Sequence, residues 1–124
     1  MGFLNGKCGI LAVSAAIESF YKENGKLTSV AERSINKLIG LSDGVINGPH
    51  PNEIFYGRAG YLYSLLFVNS FYGDAITLEL IYRVANKIME DGRSLGAITS
   101  NKIGKKIDLM WEWHDKCYLE GAIS

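Results

Sequence analysis

The sequence is short of cysteine, of net charge and of long apolar runs, and each shortage removes a class of protein. Cys8 and Cys117 are the only cysteines. They stand far apart with no partner at metal-ligand spacing, which excludes a disulfide scaffold and predicts a reducing, cytoplasmic setting. Thirteen lysines and arginines balance thirteen aspartates and glutamates, so no global field gathers nucleic acid, and no nucleic-acid partner is expected. The local basic cluster of Lys102, Lys105 and Lys106 lacks the interleaved aromatics of a nucleic-acid groove and reads as a solvated loop. The opening residues, MGFLNGKC, show no basic signal region, cleavage site or myristoylation pattern, so neither export nor a lipid anchor is expected. At 124 residues the chain has room for one domain, burying roughly 65% of its unfolded surface.

What is present centres on YGRAGYLYSLLFVNSFYG, residues 56–73. From Tyr61 to Val68 only Ser64 is not plainly apolar or aromatic, so no polar face is left for water and an inner helix is expected. Asn69, Ser70 and Gly73 cut the run short of the ~18 residues that would suggest a membrane span.

Set against itself with a 51-residue offset, the sequence repeats. Gly6, Lys7, Gly9 and Leu11 fall on Gly57, Arg58, Gly60 and Leu62, and Ser19, Phe20 and Tyr21 fall on Ser70, Phe71 and Tyr72. The first unit, at about 3–40, predicts a helix over 9–22 closed by Asn24-Gly25, then a helix over 29–38 with Ser29 as cap and Val30, Ala31, Ile35 and Leu38 on one face. Residues 40–52, rich in Gly, Asp, Asn and Ser, predict a connecting loop. The second unit, at about 54–92, predicts an inner helix after Gly57. An outer helix follows, capped by Asp74 or Thr77, with Leu78, Ile81, Tyr82, Ala85, Ile88 and Met89 at helical spacing and an end near Gly92. Residues 93–106 read as a long loop, and the tail, 107–124, carries LMWEWHDKCYL as a final helix or turn.

Two helices per repeat of this length indicate an all-α array of stacked hairpins. Two units are fewer than such arrays usually need. Exposed apolar surface and self-association through the open hairpin edges are therefore expected.

NEIFYGRAGYLYSLLFVN, preceded by FLNGKCGILAV and followed by LMWEWHDKCYL, resembles the N-terminal part of the eukaryotic LanC-like proteins, relatives of bacterial lanthionine synthetase C. The three blocks occur in the family's order over most of residues 3–119. The resemblance implies an α/α toroid of seven hairpins, here a partial toroid of about two hairpins plus a tail. It also implies zinc held by two cysteines and a histidine, one of them in a Cys-His-Gly motif. That zinc would activate a thiol, from a peptide cysteine or glutathione, for addition to a dehydrated serine or threonine in peptide modification. The family's Gly-Ala-Ala-His-Gly, whose histidine protonates the resulting enolate, is replaced by Glu120-Gly121-Ala122-Ile123-Ser124. The expectation is an N-terminal fragment that is inactive alone and holds no cofactor itself, zinc and glutathione belonging to the full-length family. The alternative is a helical-repeat interaction module that binds a partner or itself. Peripheral association at the plasma membrane, implied by some family members, gains no support from the neutral charge.

Glu53 matches a place where bacterial cyclases carry an aspartate near the metal, which implies catalytic support; otherwise it serves the start of the following helix. Arg58 and Lys7 occupy equivalent places in the glycine turns and could meet an anion at a helix N-terminus. For Arg58 the resemblance implies glutathione, against salt-bridging between neighbouring hairpins. Cys8, without a base beside it, reads as buried packing. His114 and Cys117 have i, i+3 spacing, but two ligands make no zinc site. His114 is expected to pack with Trp111 and Trp113, and His50 to meet solvent.

Overall fold

The computed structural model describes residues 6–21, 28–54, 57–113 and 116–119, and helix dominates them. Helix α1 (Lys7–Glu18) follows Gly6 and runs into a 3-10 turn at Ser19–Tyr21. Helix α2 (Ser29–Gly40) begins behind Thr28, which has extended backbone and whose hydroxyl accepts the Ala31 N–H at 3.1 Å. The cap is therefore Thr28 and not Ser29, because Ser29 already has a helical conformation, whereas a cap stands half outside the helix. Helix α4 (Arg58–Tyr72) starts behind Gly57, 51 positions after the start of α1. Helix α5 (Leu78–Ile103) is capped by Thr77 through the Leu80 N–H.

The inner helices α1 and α4 pack on each other, with α2 against α1 and α5 against α4. Small residues of α1, namely Cys8, Ala12 and Ala15, let Tyr61, Leu65 and Val68 of α4 come close. Ile35, Leu38, Val45, Ile76, Leu80, Ile81 and Val84 complete the core. Burying each large apolar side chain contributes about 1.5–3 kcal/mol before the entropy of ordering it is set against the gain. Two phenols tie the layers together: Tyr61 donates to the Leu38 carbonyl at 2.7 Å, and Tyr72 donates to that of Ala15.

The all-α architecture is as expected, but several local features differ. Residues 40–52 are not all loop, since α3 (Ser42–Asn47) forms within them. On α2, Val30 is exposed while Ala31, Ser34, Ile35 and Leu38 are buried. On α4 a water-facing side does exist: Tyr63 and Leu66 are exposed opposite the buried Tyr61, Ser64, Leu65 and Val68. On α5 the core stripe is Leu80, Ile81 and Val84, whereas Leu78 and Tyr82 face outward. The Asn24-Gly25 cap and His114 lie outside the described residues.

The largest difference is that α5 does not stop at Gly92 but continues through the expected loop to Ile103, where Gly104 adopts the left-handed conformation of a helix end. Gly92 and Gly96 clear a face for the returning chain. A Cβ on Gly92 would lie 2.6 Å from the Trp111 ring, and one on Gly96 would lie 2.9 Å from the carbonyl oxygens of Ile107 and Asp108. Along the same face, the Ser100 hydroxyl accepts the Ile107 N–H at 2.7 Å, and the Trp111 indole donates to the Ile88 carbonyl at 2.9 Å. Beyond this docked segment the tail is neither helix nor simple turn. It is an antiparallel pair, β1 (Met110–Trp113) with β2 (Lys116–Leu119), in which Glu112 faces Cys117 in register. Among the described residues no helix is long and apolar enough to cross a membrane.

Gly40 and Gly96 should respond in opposite directions to substitution. A Cβ on Gly40 meets nothing within 4 Å, so Gly40→Ala should raise stability by about 0.5–1 kcal/mol through helix propensity. Gly96→Val should lower it by about 1–3 kcal/mol, because the obstacle is backbone. Thermal denaturation followed by circular dichroism measures both, and a neutral Gly96→Val would contradict the close docking of residues 107–108.

Candidate functional site

The glycine turn before α4 is where the expected site residues gather. Helix N-termini leave N–H groups without intrahelical acceptors. Here the preceding segment supplies them: the Gly57 N–H donates to the Glu53 carbonyl at 3.1 Å, and the Arg58 N–H to that of Pro51 at 2.9 Å. The approach is so close that a Cβ on Gly57 would lie 2.1 Å from the Pro51 oxygen. Glycine is required at 57 by contact, since its extended backbone is open to any residue.

Arg58 places a positive charge in the first turn of α4, where the helix dipole disfavours it. Its side chain reaches instead to the C-terminal end of α3, whose carbonyls lack intrahelical donors. Nε donates to the Val45 carbonyl at 2.8 Å, and Nη2 to those of Ile46 and Gly48 at 3.3 and 2.8 Å. Nη1 meets the His50 carbonyl at 2.7 Å, Asn52 Oδ1 at 3.2 Å and Asp91 Oδ2 at 3.0 Å. Asp91 also receives Asn52 Nδ2 at 3.2 Å and pairs with Lys87 across one turn of α5 at 3.1 Å. Only 4% of Arg58 is exposed, whereas Asp91 and Lys87 stay half-buried, so a buried guanidinium is hydrogen-bonded to partners that reach the surface and joins α3, the turn, α4 and α5. The ion pair lies within the second hairpin. The link toward the first hairpin runs through carbonyl oxygens.

All three guanidinium nitrogens thus have acceptors inside the protein, an arrangement built for clamping. Glu53 is also buried and engaged within the fold, so its carboxylate is withheld from solvent while its carbonyl holds the helix start. Lys7, the repeat equivalent of Arg58, is exposed. Cys8 is fully buried in the core, and burial pushes its thiol above the ordinary value of 9.0, the reverse of an activated thiolate. Tyr61 beside it is also pushed up, by burial first and by the nearness of Cys8 second.

His50 is half-buried, its carbonyl on Arg58 and its N–H on the Gly48 carbonyl at 2.9 Å. Asp91 and the carbonyls of 45–50 escaped the sequence reading. The available signal was a lone arginine opening an apolar helix, which calls for acceptors within the fold.

Among the described residues no three histidines, cysteines, aspartates or glutamates converge on a point. Cys8 sits in the core and His50 on the Arg58 loop, so these donors do not fit the zinc that the resemblance implies. Two surface grooves, one lined by Ser29, Glu32, Arg33, Asn36 and Lys37 and one by Ile39, Ser42, Thr77, Glu79, Leu80 and Arg83, include neither Glu53 nor Arg58.

A family model described as lanthionine synthetase C-like protein matches residues 1–122. The chain is also similar to a zebrafish (Danio rerio) protein named Glutathione S-transferase LANCL1, with 34% identity over 123 residues. That match covers 97% of the present chain and 29% of the relative, so the chain spans under a third of the relative's length.

Removing the clamp should be costly. Arg58→Ala should destabilise by about 3 kcal/mol, since it leaves several buried carbonyls without a donor while Asp91 retains Lys87 and Asn52, and Arg58→Lys should recover only part of this because an ammonium cannot reproduce the planar fork. Urea unfolding of the three proteins measures it; a loss below about 1 kcal/mol would show that the network is dispensable.

Stability should also fall as the solution becomes alkaline. Above pH 9.0 the unfolded chain releases the Cys8 proton while the folded chain keeps it, so the unfolded state binds fewer protons and stability drops with rising pH. Tyr61 extends the decline above its ordinary value of 10.0. Cys8→Ala should delay the onset of the fall in a pH series of thermal melts.

Proposed function

The chain belongs to the lanthionine synthetase C-like family, and we propose that it supplies wall-forming hairpins of an α/α toroid whose activity is zinc-dependent addition of a thiol to dehydrated serine or threonine. In that reaction the thiol sulfur bonds to the β-carbon of the dehydrated residue and the α-carbon takes up a proton. The name of the zebrafish relative favours glutathione as the thiol.

The observation that carries the structural role is the fate of the candidate residues. Arg58 directs six hydrogen bonds inward, Glu53 is buried, and the Cys8 thiol is held protonated by burial. These residues build and brace the wall. In this reading, zinc and the proton donor for the α-carbon come from elsewhere in a family toroid, and the present chain alone is catalytically silent.

The purified chain should bind no stoichiometric zinc and should not speed addition of glutathione to a dehydroalanine peptide above the uncatalysed rate. Proton donation by a positioned acid is typically worth ~10²- to 10⁴-fold, so its absence is readily measured. Metal analysis beside a mass-spectrometric adduct assay is the test. One equivalent of zinc with chelator-sensitive turnover would overturn the reading.

A further inference from the structure

Three Asn-Gly pairs occur in the sequence, at 5–6, 24–25 and 47–48, and the last of them stands inside the Arg58 clamp. Such a pair is the context in which asparagine is chemically least stable. Glycine neither hinders approach to its own backbone nitrogen nor restricts the turn that brings that nitrogen to the preceding amide.

Asn47 is the final residue of α3 and Gly48 is its cap. The fold engages the groups that would react. The Gly48 N–H, whose nitrogen is the nucleophile, donates to the Gly44 carbonyl at 2.9 Å. The Asn47 side-chain amide, whose carbon is the electrophile, donates to Asp43 Oδ1 at 2.8 Å. The flanking carbonyls are held as well, that of Ile46 by Arg58 Nη2 at 3.3 Å, and that of Gly48 by the same nitrogen at 2.8 Å and by the His50 N–H at 2.9 Å. Ring closure demands an Asn47 ψ far from the helical value of about −40°, so the last turn of α3 must open first. A six-residue helix has little stability of its own, and Arg58 is what ties its end to the core.

We propose that Asn47 is a deamidation site gated by Arg58: once the clamp releases, Asn47 and Gly48 close to a succinimide, and the product keeps the clamp from re-forming. The Gly48 nitrogen bonds to the Asn47 Cγ, and its proton passes through solvent to the departing side-chain nitrogen, which leaves as ammonia. Water then adds to one of the ring carbonyls and opens the ring to aspartate or, with the main chain rerouted through Cγ, to isoaspartate. Water is consumed and ammonia released; nothing is oxidised or reduced. Aspartate replaces the amide donor with a carboxylate one helical turn from Asp43, at the end of α3 where the dipole already disfavours negative charge. Isoaspartate lengthens the main chain by a methylene carbon between the Ile46 and Gly48 carbonyls, so the single nitrogen that holds both no longer meets them together.

Peptide mapping by liquid chromatography and mass spectrometry follows the reaction in the full chain at neutral pH and separates aspartate from isoaspartate. In guanidinium chloride the Asn47 peptide should convert about as fast as those of the other Asn-Gly pairs, and in the folded chain at least roughly tenfold more slowly, since only the opened fraction reacts. Arg58→Lys should raise the folded-state rate by roughly tenfold or more, the worth of one hydrogen bond to a charged group in an opening equilibrium. Thr28→Ala, which weakens the fold at the far end of α2, should leave the rate within about twofold of the wild-type value. Circular dichroism checks each fold, and Asp91→Asn, which discharges the partner of Arg58 Nη1, replaces Arg58→Lys if that chain unfolds. A folded wild-type chain that loses the Asn47 amide as fast as the unfolded one would overturn the proposal. So would an unchanged rate in the folded clamp variant, or equal acceleration by Thr28→Ala, which would trace the reaction to global unfolding.

Discussion

The structure depends on the burial of one guanidinium group. Arg58 stands at the positive end of α4, and a buried charge is tolerated only when it is paired and hydrogen-bonded. Its acceptors are two terminal carbonyls of α3, three loop oxygens from Gly48, His50 and Asn52, and the Asp91 carboxylate. A six-residue helix such as α3 has little stability of its own, since forming the first turn costs entropy for few hydrogen bonds. Arg58 compensates its carbonyl end, while Val45 and Ile46 anchor it in the core. The same side chain thus shapes the connection between the hairpins, opens the inner helix and fastens α5.

Glycine in this protein serves mainly as absent volume. Gly57 admits the Pro51 backbone, and Gly92 and Gly96 admit the chain that returns along α5. Such glycines look like stop signals in a linear sequence because the same residue type also ends helices. Here the loss of helix propensity at 92 and 96 is offset by the docking of Trp111 and the bonds between Ser100 and Ile107. Residues 107–111 accordingly serve as packing for the outer helix.

Apolar residues that look surplus to one core find their explanation in the repeat. A helix between two neighbours needs two apolar sides, whereas α1 and α4 each cover one in the present chain. Membership in a family whose zebrafish member is more than three times longer accords with inner helices that are apolar on both sides. The expectation for α4 was therefore right about composition and incomplete about exposure.

The sequence by itself determined the helical class, the repeat, the two glycine turns and the family, because these rest on local periodicity and on residue identities in fixed order. It also pointed to Glu53 and Arg58 as the residues of interest, and to Cys8 as buried. Tertiary structure alone decided that Arg58 turns inward to Asp91 and the α3 carbonyls, that Gly92 and Gly96 lie under a returning chain, and that the tail pairs as strands. The first two outcomes join residues distant in sequence, as in the pairing of Arg58 with Asp91 or the docking of Trp111 on Gly92, whereas the paired strands of the tail are neighbours in sequence. Local propensity carries no information about such partners. Burial does, because an interior charge must find its counter-charge, and a bare backbone face can be approached more closely than any side chain would permit.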